Sequence, residues 1–229
     1  MTAPSLPPPL IEDLSLSYRL RAAKGQPVGL LLLLHGVGSN EIALAGLAAL
    51  FPENLSIALV RSPFTLSPNS FCAFAVNFTA NGPVIDSAAA ETSRQRLVQF
   101  VGELQQRTDI PPTQTLVAGF SQGGIMSASL ALTSPHTVAG FAILSGRVLP
   151  EIAPQIAAPD ALAHLEALVL HGERDNTLPI VWAERSADLM QKIGVTFTSK
   201  RYPAQHEITH EMAQDFVSWV SRLLHGSKG

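Results

Sequence analysis

Ser121 is the centre of the sequence Gly-Phe-Ser-Gln-Gly at residues 119–123, which matches the pattern G-x-S-x-G. An apolar run, Thr115–Phe120, leads directly into the pattern, and a stretch rich in Ala, Leu and Met follows it. A serine on a sharp turn from a strand into a helix projects its hydroxyl above the edge of a sheet. The pattern therefore predicts a nucleophilic Ser121, although a glycine-rich turn with an ordinary helix-capping serine gives the same letters.

A serine hydroxyl becomes an effective nucleophile when a base accepts its proton. In hydrolases with a serine on such a turn, an Asp or Glu and then a His follow in chain order. Asp175 lies just after a short apolar run, with Glu173 as the local alternative and capping of the next helix as the alternative role. His206 lies in the loop after the last predicted strand, whereas His210 is expected one turn into the helix. We predict Asp175 as the acid and His206 as the base.

The segment Leu-His-Gly-Val-Gly-Ser-Asn at residues 34–40 follows the first strongly apolar run of the chain. A glycine-bearing loop in this place can direct a backbone N–H at the oxygen that becomes negative when a carbonyl is attacked. The second donor in such sites is the amide of the residue after the nucleophile, here Gln122. We predict Val37 and Gln122 as the oxyanion-hole donors, with a plain tight turn at 34–40 as the simpler alternative.

Four segments, in order, resemble landmarks of the phospholipase/carboxylesterase family, which includes the acyl-protein thioesterases. They are His-Gly-Val-Gly at 35–38, Gly-Phe-Ser-Gln-Gly-Gly at 119–124, His-Gly-Glu-Arg-Asp at 171–175, and the stretch from Tyr202 to Glu207. The resemblance runs from about residue 14 to residue 225. Asn-Glu at 40–41 and Gly-Pro at 82–83 make the chain most similar to the bacterial predicted-esterase branch.

The resemblance implies an α/β-hydrolase fold, with a mostly parallel sheet, helices on both faces and no large lid domain. It implies a serine hydrolase that cleaves carboxylic esters, or thioesters, through a Ser-His-Asp triad and an acyl-enzyme. The expected partner is a small-molecule ester or thioester, and the family needs no metal and no organic cofactor. Lysophospholipase and acyl-protein thioesterase are the alternatives within the family. A non-catalytic binding module of the same fold is the alternative of another class.

Three phenylalanines, Phe71, Phe74 and Phe78, are candidate walls of the substrate pocket because of their apolar character. They are equally consistent with an ordinary core. The resemblance leads us to expect a Trp-Phe pair where this chain has Phe71 and Phe74, so the shape of the acyl pocket departs from the family pattern. Cys72, beside them, is predicted to be an inert buried thiol.

Apolar runs that alternate with helical patterns predict a mostly parallel sheet covered by helices. The predicted buried strands are Val28–Leu34, Leu55–Val60, Thr115–Phe120, Val138–Leu144 and Leu168–Leu170. A further strand, Val195–Tyr202, is expected nearer an edge, and Ser15–Arg21 is expected to add an antiparallel strand at the other end. Since ligands bind at the carboxyl ends of such strands, this arrangement gathers the candidate residues at one edge.

Three helices are predicted between the strands. The first has a cap at Asp86 or Ser87 and an apolar stripe at Leu97, Phe100, Val101 and Leu104. The second runs from about Pro179 to Lys192. The third has an apolar face formed by Met212, Phe216, Trp219, Val220 and Leu223. Residues 62–84 and 146–166 are long connections without clear periodicity. We predict a flexible N-terminal arm at residues 1–12 and a single α/β-hydrolase domain at residues 13–229.

The charge and cysteine content exclude several classes of protein. The 229 residues include 15 Lys and Arg against 18 Asp and Glu, without a basic cluster, so the chain has no electrostatic footprint for nucleic acid. A single cysteine and the absence of a signal-peptide pattern predict a cytoplasmic protein. The longest apolar run, Val28–Leu34, is far shorter than the roughly 18 residues of a membrane span, so no stable membrane insertion is expected. The sequence leaves open whether the chain forms a homodimer.

Overall fold

A computed structural model describes residues 8–79 and 82–226. Seven strands form one sheet in the order β1-β3-β2-β8-β9-β10-β11, in which β1 pairs antiparallel with β3 and all other pairs are parallel. These strands are β1 Tyr18–Arg21, β2 Gly29–Leu34, β3 Leu55–Val60, β8 Thr115–Phe120, β9 Gly140–Leu144, β10 Glu166–Gly172 and β11 Thr196–Tyr202. The prediction of a mostly parallel sheet with an antiparallel strand at one end is confirmed.

The apolar cores lie on both faces of the sheet. Strand β2 explains why, because all six of its residues are buried: Leu30 and Leu32 pack into one cluster, whereas Leu31 and Leu33 pack into the other. Side chains of successive strand residues point to opposite faces, so a continuous run of leucines must be covered on both sides. At the far edge, β11 is mostly exposed, as predicted for an edge strand.

Helices cover both faces. Their bounds are α1 Ala45–Ala48, α2 Ser87–Thr108, α3 Gln122–Thr133, α4 Pro159–Leu162, α5 Val181–Ile193 and α6 His210–Gly226, with short 3-10 turns at Glu41–Leu44, Pro112–Gln114, Pro135–Thr137 and Pro150–Gln155. Residues of α2, α3 and α5 pack into one core cluster, and residues of α1 and α6 pack into the other. The predicted apolar stripe of α2 is buried, and the Asp86 side chain caps this helix by accepting a hydrogen bond from the amide of Ala89 at 2.9 Å.

The two long connections contain more structure than the sequence pattern indicated. Residues 62–84 include two hairpins, which are built from β4 Phe64–Ser67 with β5 Ser70–Cys72 and from β6 Val76–Thr79 with β7 Gly82–Ile85. The first hairpin is anchored by a backbone bridge between Ser39 and Phe71. Strands of three or four residues are too short for the alternation of apolar and polar residues to give a clear signal.

The N-terminal arm was predicted to be flexible over residues 1–12. Residues 1–7 of that arm lie outside the described residues. Ile11 is attached to the sheet, because it exchanges two backbone hydrogen bonds with Tyr18 at 2.7 and 2.9 Å. Arg19 also donates a hydrogen bond to the carbonyl of Pro8 at 2.6 Å. Within the described ranges, no helix is both long and apolar enough to cross a bilayer.

Candidate active site

Ser121 stands at the turn between β8 and α3 in a strained backbone conformation. Its φ is 54° and its ψ is −117°, a region that residues with a Cβ rarely adopt. Such a residue costs on the order of 1–3 kcal/mol and persists only where its surroundings impose it. Here the amide of Ser121 donates to the carbonyl of Leu144 at 2.8 Å, and its carbonyl accepts from Ile125 at 3.1 Å. The turn is therefore held from the neighbouring strand and from its own helix.

Two glycines make this turn sterically feasible. A Cβ on Gly119 would lie 2.3 Å from the carbonyl carbon of Gly123, and a Cβ on Gly123 would lie 2.0 Å from the carbonyl oxygen of Leu34. Neither distance is compatible with a side chain, because the contacting atoms belong to the backbone and cannot rotate away. The spacing G-x-S-x-G thus follows from the close packing of β8, α3 and the end of β2.

We expect Gly123→Ala to lower the free energy of unfolding by about 3 kcal/mol and to remove hydrolytic activity, because the turn must shift to admit the methyl group. The matched control is Gly102→Ala in the middle of α2, where an added Cβ meets nothing within 4 Å. That variant is expected to gain about 0.5–1 kcal/mol, since alanine favours a helix interior over glycine. Chemical denaturation of both variants measures the difference. Equal midpoints for Gly123→Ala and the wild type would contradict this steric account.

The structure brings Ser121, His206 and Asp175 together. Nε2 of His206 lies 2.9 Å from Oγ of Ser121, and Nδ1 of His206 lies 2.7 Å from Oδ2 of Asp175. The three residues follow the carboxyl ends of β8, β11 and β10. Asp175 is fully buried at its side chain, whereas the His206 side chain keeps 19% of its surface exposed. A proton can therefore pass from the hydroxyl to the imidazole in a site that remains open to water.

The second oxygen of Asp175 fixes the orientation of the carboxylate. Oδ1 accepts hydrogen bonds from the amides of Thr177 at 2.9 Å and Leu178 at 2.8 Å. Oδ2 is thereby left to accept from Nδ1 of His206, which leaves Nε2 as the acceptor for the Ser121 hydroxyl. The Phe120 ring packs against the imidazole with a centroid distance of 4.9 Å, which holds the ring in place.

The rival candidates lie elsewhere. Glu173 is exposed, and its backbone amide bonds to the carbonyl of Tyr202. His210 begins α6, not one turn inside it as predicted, and its Nε2 contacts the Gln214 side chain at 2.9 Å. His35 bridges the carbonyl of Gly36 at 2.7 Å and the amide of Ser62 at 3.1 Å, so it shapes the turn after β2.

His171 also shapes a turn, and it supports the acid. Its Nε2 contacts the carbonyl of Leu178 at 2.7 Å and lies 3.4 Å from Oδ2 of Asp175. Burial lowers the pKa of His171, although the Leu178 carbonyl and the Asp175 carboxylate favour the charged ring. A neutral His171 donates from Nε2, so it holds the loop that carries the acid.

The predicted oxyanion donors flank Ser121. Val37 lies in the loop after β2 and is 43% exposed at the rim of the cleft, and Gln122 is the first residue of α3. In the described parts of the chain, neither backbone amide makes a hydrogen bond to another residue. The first amides of a helix have no partner within the helix and carry part of its positive dipole. Both N–H groups are thus free to bind a negative oxygen.

The Gln122 side chain has a structural role that the sequence did not indicate. Its Oε1 accepts from the amide of Ala73 at 2.7 Å, and its Nε2 donates to the carbonyl of Phe74 at 2.9 Å. Gln122 is 3% exposed, so these bonds form away from competing water. They attach the segment after β5 to the turn that carries the nucleophile. The only feature of the sequence that could have indicated these two hydrogen bonds is the polar residue, Gln122, directly after the nucleophile.

A cleft of about 550 Å³ opens beside Ser121, and its walls are mainly apolar. It is lined by Gly36, Val37, Ser39, Ala43, Leu44, Phe120, Ser121, Thr177, His206, Glu207 and Ile208.

The predicted walls Phe71 and Phe74 do not line this cleft. Phe74 is 1% exposed within the core, which matches the alternative stated for it, and the Phe71 ring contacts the Arg61 guanidinium at 4.4 Å. The side chain of Phe78 lies outside the described part, and Cys72 is buried as predicted.

A buried ion-pair cluster fixes the loop that carries Val37. Glu41 is 3% exposed and accepts hydrogen bonds from Arg19 at 2.9 Å and from Arg61 at 2.8 and 3.0 Å. Burial opposes the charge of Glu41, but hydrogen bonds from Arg61, from its own amide and from Arg19 outweigh burial and lower its pKa to about 2. The cluster joins the end of this loop to β1 and to the end of β3.

We expect Glu41→Gln to lower the free energy of unfolding at neutral pH by about 3 kcal/mol, because two partly buried arginines lose their common partner. The pKa of Glu41 is lower in the folded chain than its ordinary value of 4.5, so the carboxylate stabilises the fold fully above that value. This contribution is lost as the pH falls from 4.5 toward 2. Denaturation of both forms at several pH values tests this, and a difference that does not shrink in acid would contradict it.

Within the described residues, no group of three or more His, Cys, Asp or Glu side chains is arranged to hold a metal ion. The groups that the structure gathers beside the cleft are the serine, the imidazole, the carboxylate and the two free amides. This set can accept a proton from an alcohol, bind a negative oxygen and return the proton to a leaving group.

Comparisons with known proteins identify the family of the chain. The family model described as Phospholipase/Carboxylesterase matches residues 18–224. Acyl-protein thioesterase 1 of Kluyveromyces lactis is 26% identical over 227 residues, which cover 89% of this chain and 96% of that protein. Carboxylesterase SOBER1 of Arabidopsis thaliana is 28% identical over 152 residues, which cover 66% of this chain and 65% of SOBER1.

A solved structure supports the same fold. The carboxylesterase from Mesorhizobium loti superimposes with a TM-score of 0.81 at 23% identity, covering 93% of this chain and 98% of that one. The likeness shows the α/β-hydrolase architecture, and the described residues form no large lid. Because the family model spans nearly the whole chain, the chain belongs to the phospholipase/carboxylesterase family and is a hydrolase of the carboxylesterase type.

Proposed function

We propose that the chain is a serine hydrolase that cleaves carboxylic esters through a covalent acyl-enzyme on Ser121. The observation that carries this proposal is the continuous hydrogen-bond path from the Ser121 hydroxyl through His206 to Asp175, with distances of 2.9 and 2.7 Å. The mainly apolar cleft beside Ser121 accommodates a small ester or thioester. The cytoplasmic location stays a prediction.

The first half of the reaction makes the acyl-enzyme. His206 accepts the proton of Ser121 as Oγ attacks the carbonyl carbon of the ester, and the amides of Val37 and Gln122 stabilise the oxygen that becomes negative. Asp175 stabilises the imidazolium that forms. The tetrahedral intermediate then collapses, the bond to the leaving group breaks, and His206 gives its proton to the departing alcohol or thiol.

The second half returns the enzyme to its starting state. A water molecule enters from the open side of the cleft, and His206 removes its proton while the oxygen attacks the acyl carbon. Collapse of the second tetrahedral intermediate releases the carboxylic acid, and Ser121 recovers its proton from His206. Every step uses the same imidazole, first as a base and then as an acid.

A fluorophosphonate probe with mass spectrometry tests the proposal. The probe phosphonylates serines whose hydroxyl is activated by a neighbouring base, so we expect a single modification, which fragmentation of the labelled peptide assigns to Ser121. Ser129, a buried serine of α3 whose Oγ donates to the carbonyl of Ile125 at 2.8 Å, is the internal control and is expected to stay unmodified. A chain that takes up no probe would instead be a non-catalytic binding module.

A further inference from the structure

Arg147 is a buried arginine without an acidic partner. The residue is 6% exposed, and within the described residues no carboxylate oxygen lies within 4.0 Å of its guanidinium. Its Nε is buried and makes no hydrogen bond. The guanidinium stacks on the Trp182 ring of α5, 4.2 Å from the ring centroid. Burial lowers the pKa of Arg147, and the field of Glu151 only partly offsets this effect.

Other arginines of the chain show the usual solution to burying such a group. Arg19 and Arg61 are paired with Glu41, and Arg94 is paired with Glu91. Arginines are rarely fully buried unless they are paired, because the charge loses its hydration. A ring face attracts the guanidinium but accepts none of its five N–H groups in the plane of the fork. Arg147 is therefore a cation that the fold orients and leaves without a counterion.

The position of Arg147 relates this unpaired charge to the reaction. It follows β9, which lies between β8 and β10, the strands that carry Ser121 and Asp175. A Cβ on the preceding Gly146 would lie 2.9 Å from the carbonyl oxygen of Ser121. Arg147 is consequently fixed at the catalytic edge of the sheet, on the opposite side of Ser121 from the Val37 loop.

Neighbouring contacts keep this segment rigid. The hydroxyl of Ser145 donates to the carbonyl of Glu207, next to His206, at 3.3 Å. The amide of Val148 donates to the hydroxyl of Ser186 on α5 at 3.0 Å. Residues on both sides of Arg147 are thus bonded to the His206 loop and to α5. A ligand group that bound the guanidinium would not have to reorganise the loop first.

We propose that Arg147 binds a carboxylate of the substrate, so that the enzyme prefers esters that carry a negative charge near the scissile bond. The inference rests on the proposed function, because it takes the substrate to be an ester cleaved at Ser121. A planar guanidinium held against a ring presents a fork that matches the two oxygens of a carboxylate. The carboxylate belongs either to the acyl part or to the alcohol part of the ester, and the two require separate probes.

Two matched pairs of esters test the proposal. For the acyl part, mono(4-nitrophenyl) glutarate is compared with 4-nitrophenyl 5-methylhexanoate, in which an isopropyl group replaces the carboxylate. For the alcohol part, 4-carboxyphenyl butyrate is compared with its methyl ester. We expect Arg147→Met to reduce the ratio of kcat/KM for the charged ester to that for the neutral ester by about tenfold or more in one pair. Arg185→Met is the control, because Arg185 contacts the same ring at 4.8 Å yet is exposed.

The outcomes separate this inference from the proposed function. If both ratios stay unchanged in Arg147→Met, or change equally in Arg185→Met, Arg147 does not bind a substrate carboxylate. If the wild type cleaves none of the four esters, the proposed function fails first. Binding then decides: sodium glutarate is expected to raise the melting temperature of the wild type and of Ser121→Ala, relative to sodium chloride of equal ionic strength, but not that of Arg147→Met. If Arg147→Met does not fold, Arg147→Lys is used, since it keeps the charge and loses the planar fork.

Discussion

Ser121→Ala is expected to reduce kcat for 4-nitrophenyl butyrate by roughly 10⁶-fold, which is the size of the loss when the nucleophile of a serine hydrolase is removed. No neighbouring group can replace the attacking oxygen, because the hydroxyl 2.9 Å from Nε2 of His206 is the one on the proton path. Some acceleration over water remains, since the free amides of Val37 and Gln122 still polarise the carbonyl.

Stability is the control for this loss. Alanine keeps the Cβ of serine, so the positive φ of 54° at residue 121 is no more strained than before. We expect the free energy of unfolding to change by about 1 kcal/mol or less, with the loss of one hydrogen bond. Ser129→Ala, which removes a buried hydroxyl from the helix that follows Ser121, is expected to retain activity. Wild-type hydrolysis by Ser121→Ala would show that another residue attacks the ester.

Asp175→Asn is expected to reduce kcat by about 10⁴-fold, although the two side chains have the same shape. The amides of Thr177 and Leu178 both donate to Oδ1, so the amide oxygen of asparagine must occupy that position. Its NH₂ group then faces Nδ1 of His206, where the carboxylate oxygen was. The imidazole of His206 then adopts the other tautomer, in which Nε2 carries the proton and cannot accept one from Ser121.

Glu173→Gln is the matched control, because it makes the same chemical change two residues away in an exposed side chain. We expect activity close to that of the wild type. Melting temperatures of the two variants are expected to lie close together, so a difference in rate reports on the chemistry and not on folding. If Glu173→Gln loses activity and Asp175→Asn keeps it, Glu173 is the acid.

The sequence predicts those parts of the fold whose causes are local. Six consecutive buried residues of β2 are apolar because both faces of this strand are covered, and such a run can be recognised without knowing its neighbours. The glycines at 119 and 123 can be recognised equally well, because a Cβ on them would lie only 2.3 and 2.0 Å from backbone atoms. The order Ser, Asp, His then follows from the order of the strands.

Features that depend on distant partners could not be predicted in this way. The hairpin of β4 and β5 is anchored by the bridge from Ser39 to Phe71, and nothing in either segment identifies the other. The sequence is equally consistent with Phe74 as a pocket wall and with Phe74 as a core residue, and only its packing decides between them. Whether the Arg147 guanidinium has an acidic partner depends on residues distant in the chain, so no local sequence pattern predicts that it lacks one.

Gln122 makes two attachments that serve different purposes. Its backbone amide is a candidate donor to the reacting oxygen, and its side chain bonds to the backbone of Ala73 and Phe74. Any displacement of the 73–74 segment is consequently transmitted through one rigid amide group to the first turn of α3. Changes on the outer hairpins can thus alter turnover without touching the ester, and engineering of those hairpins has to preserve this connection.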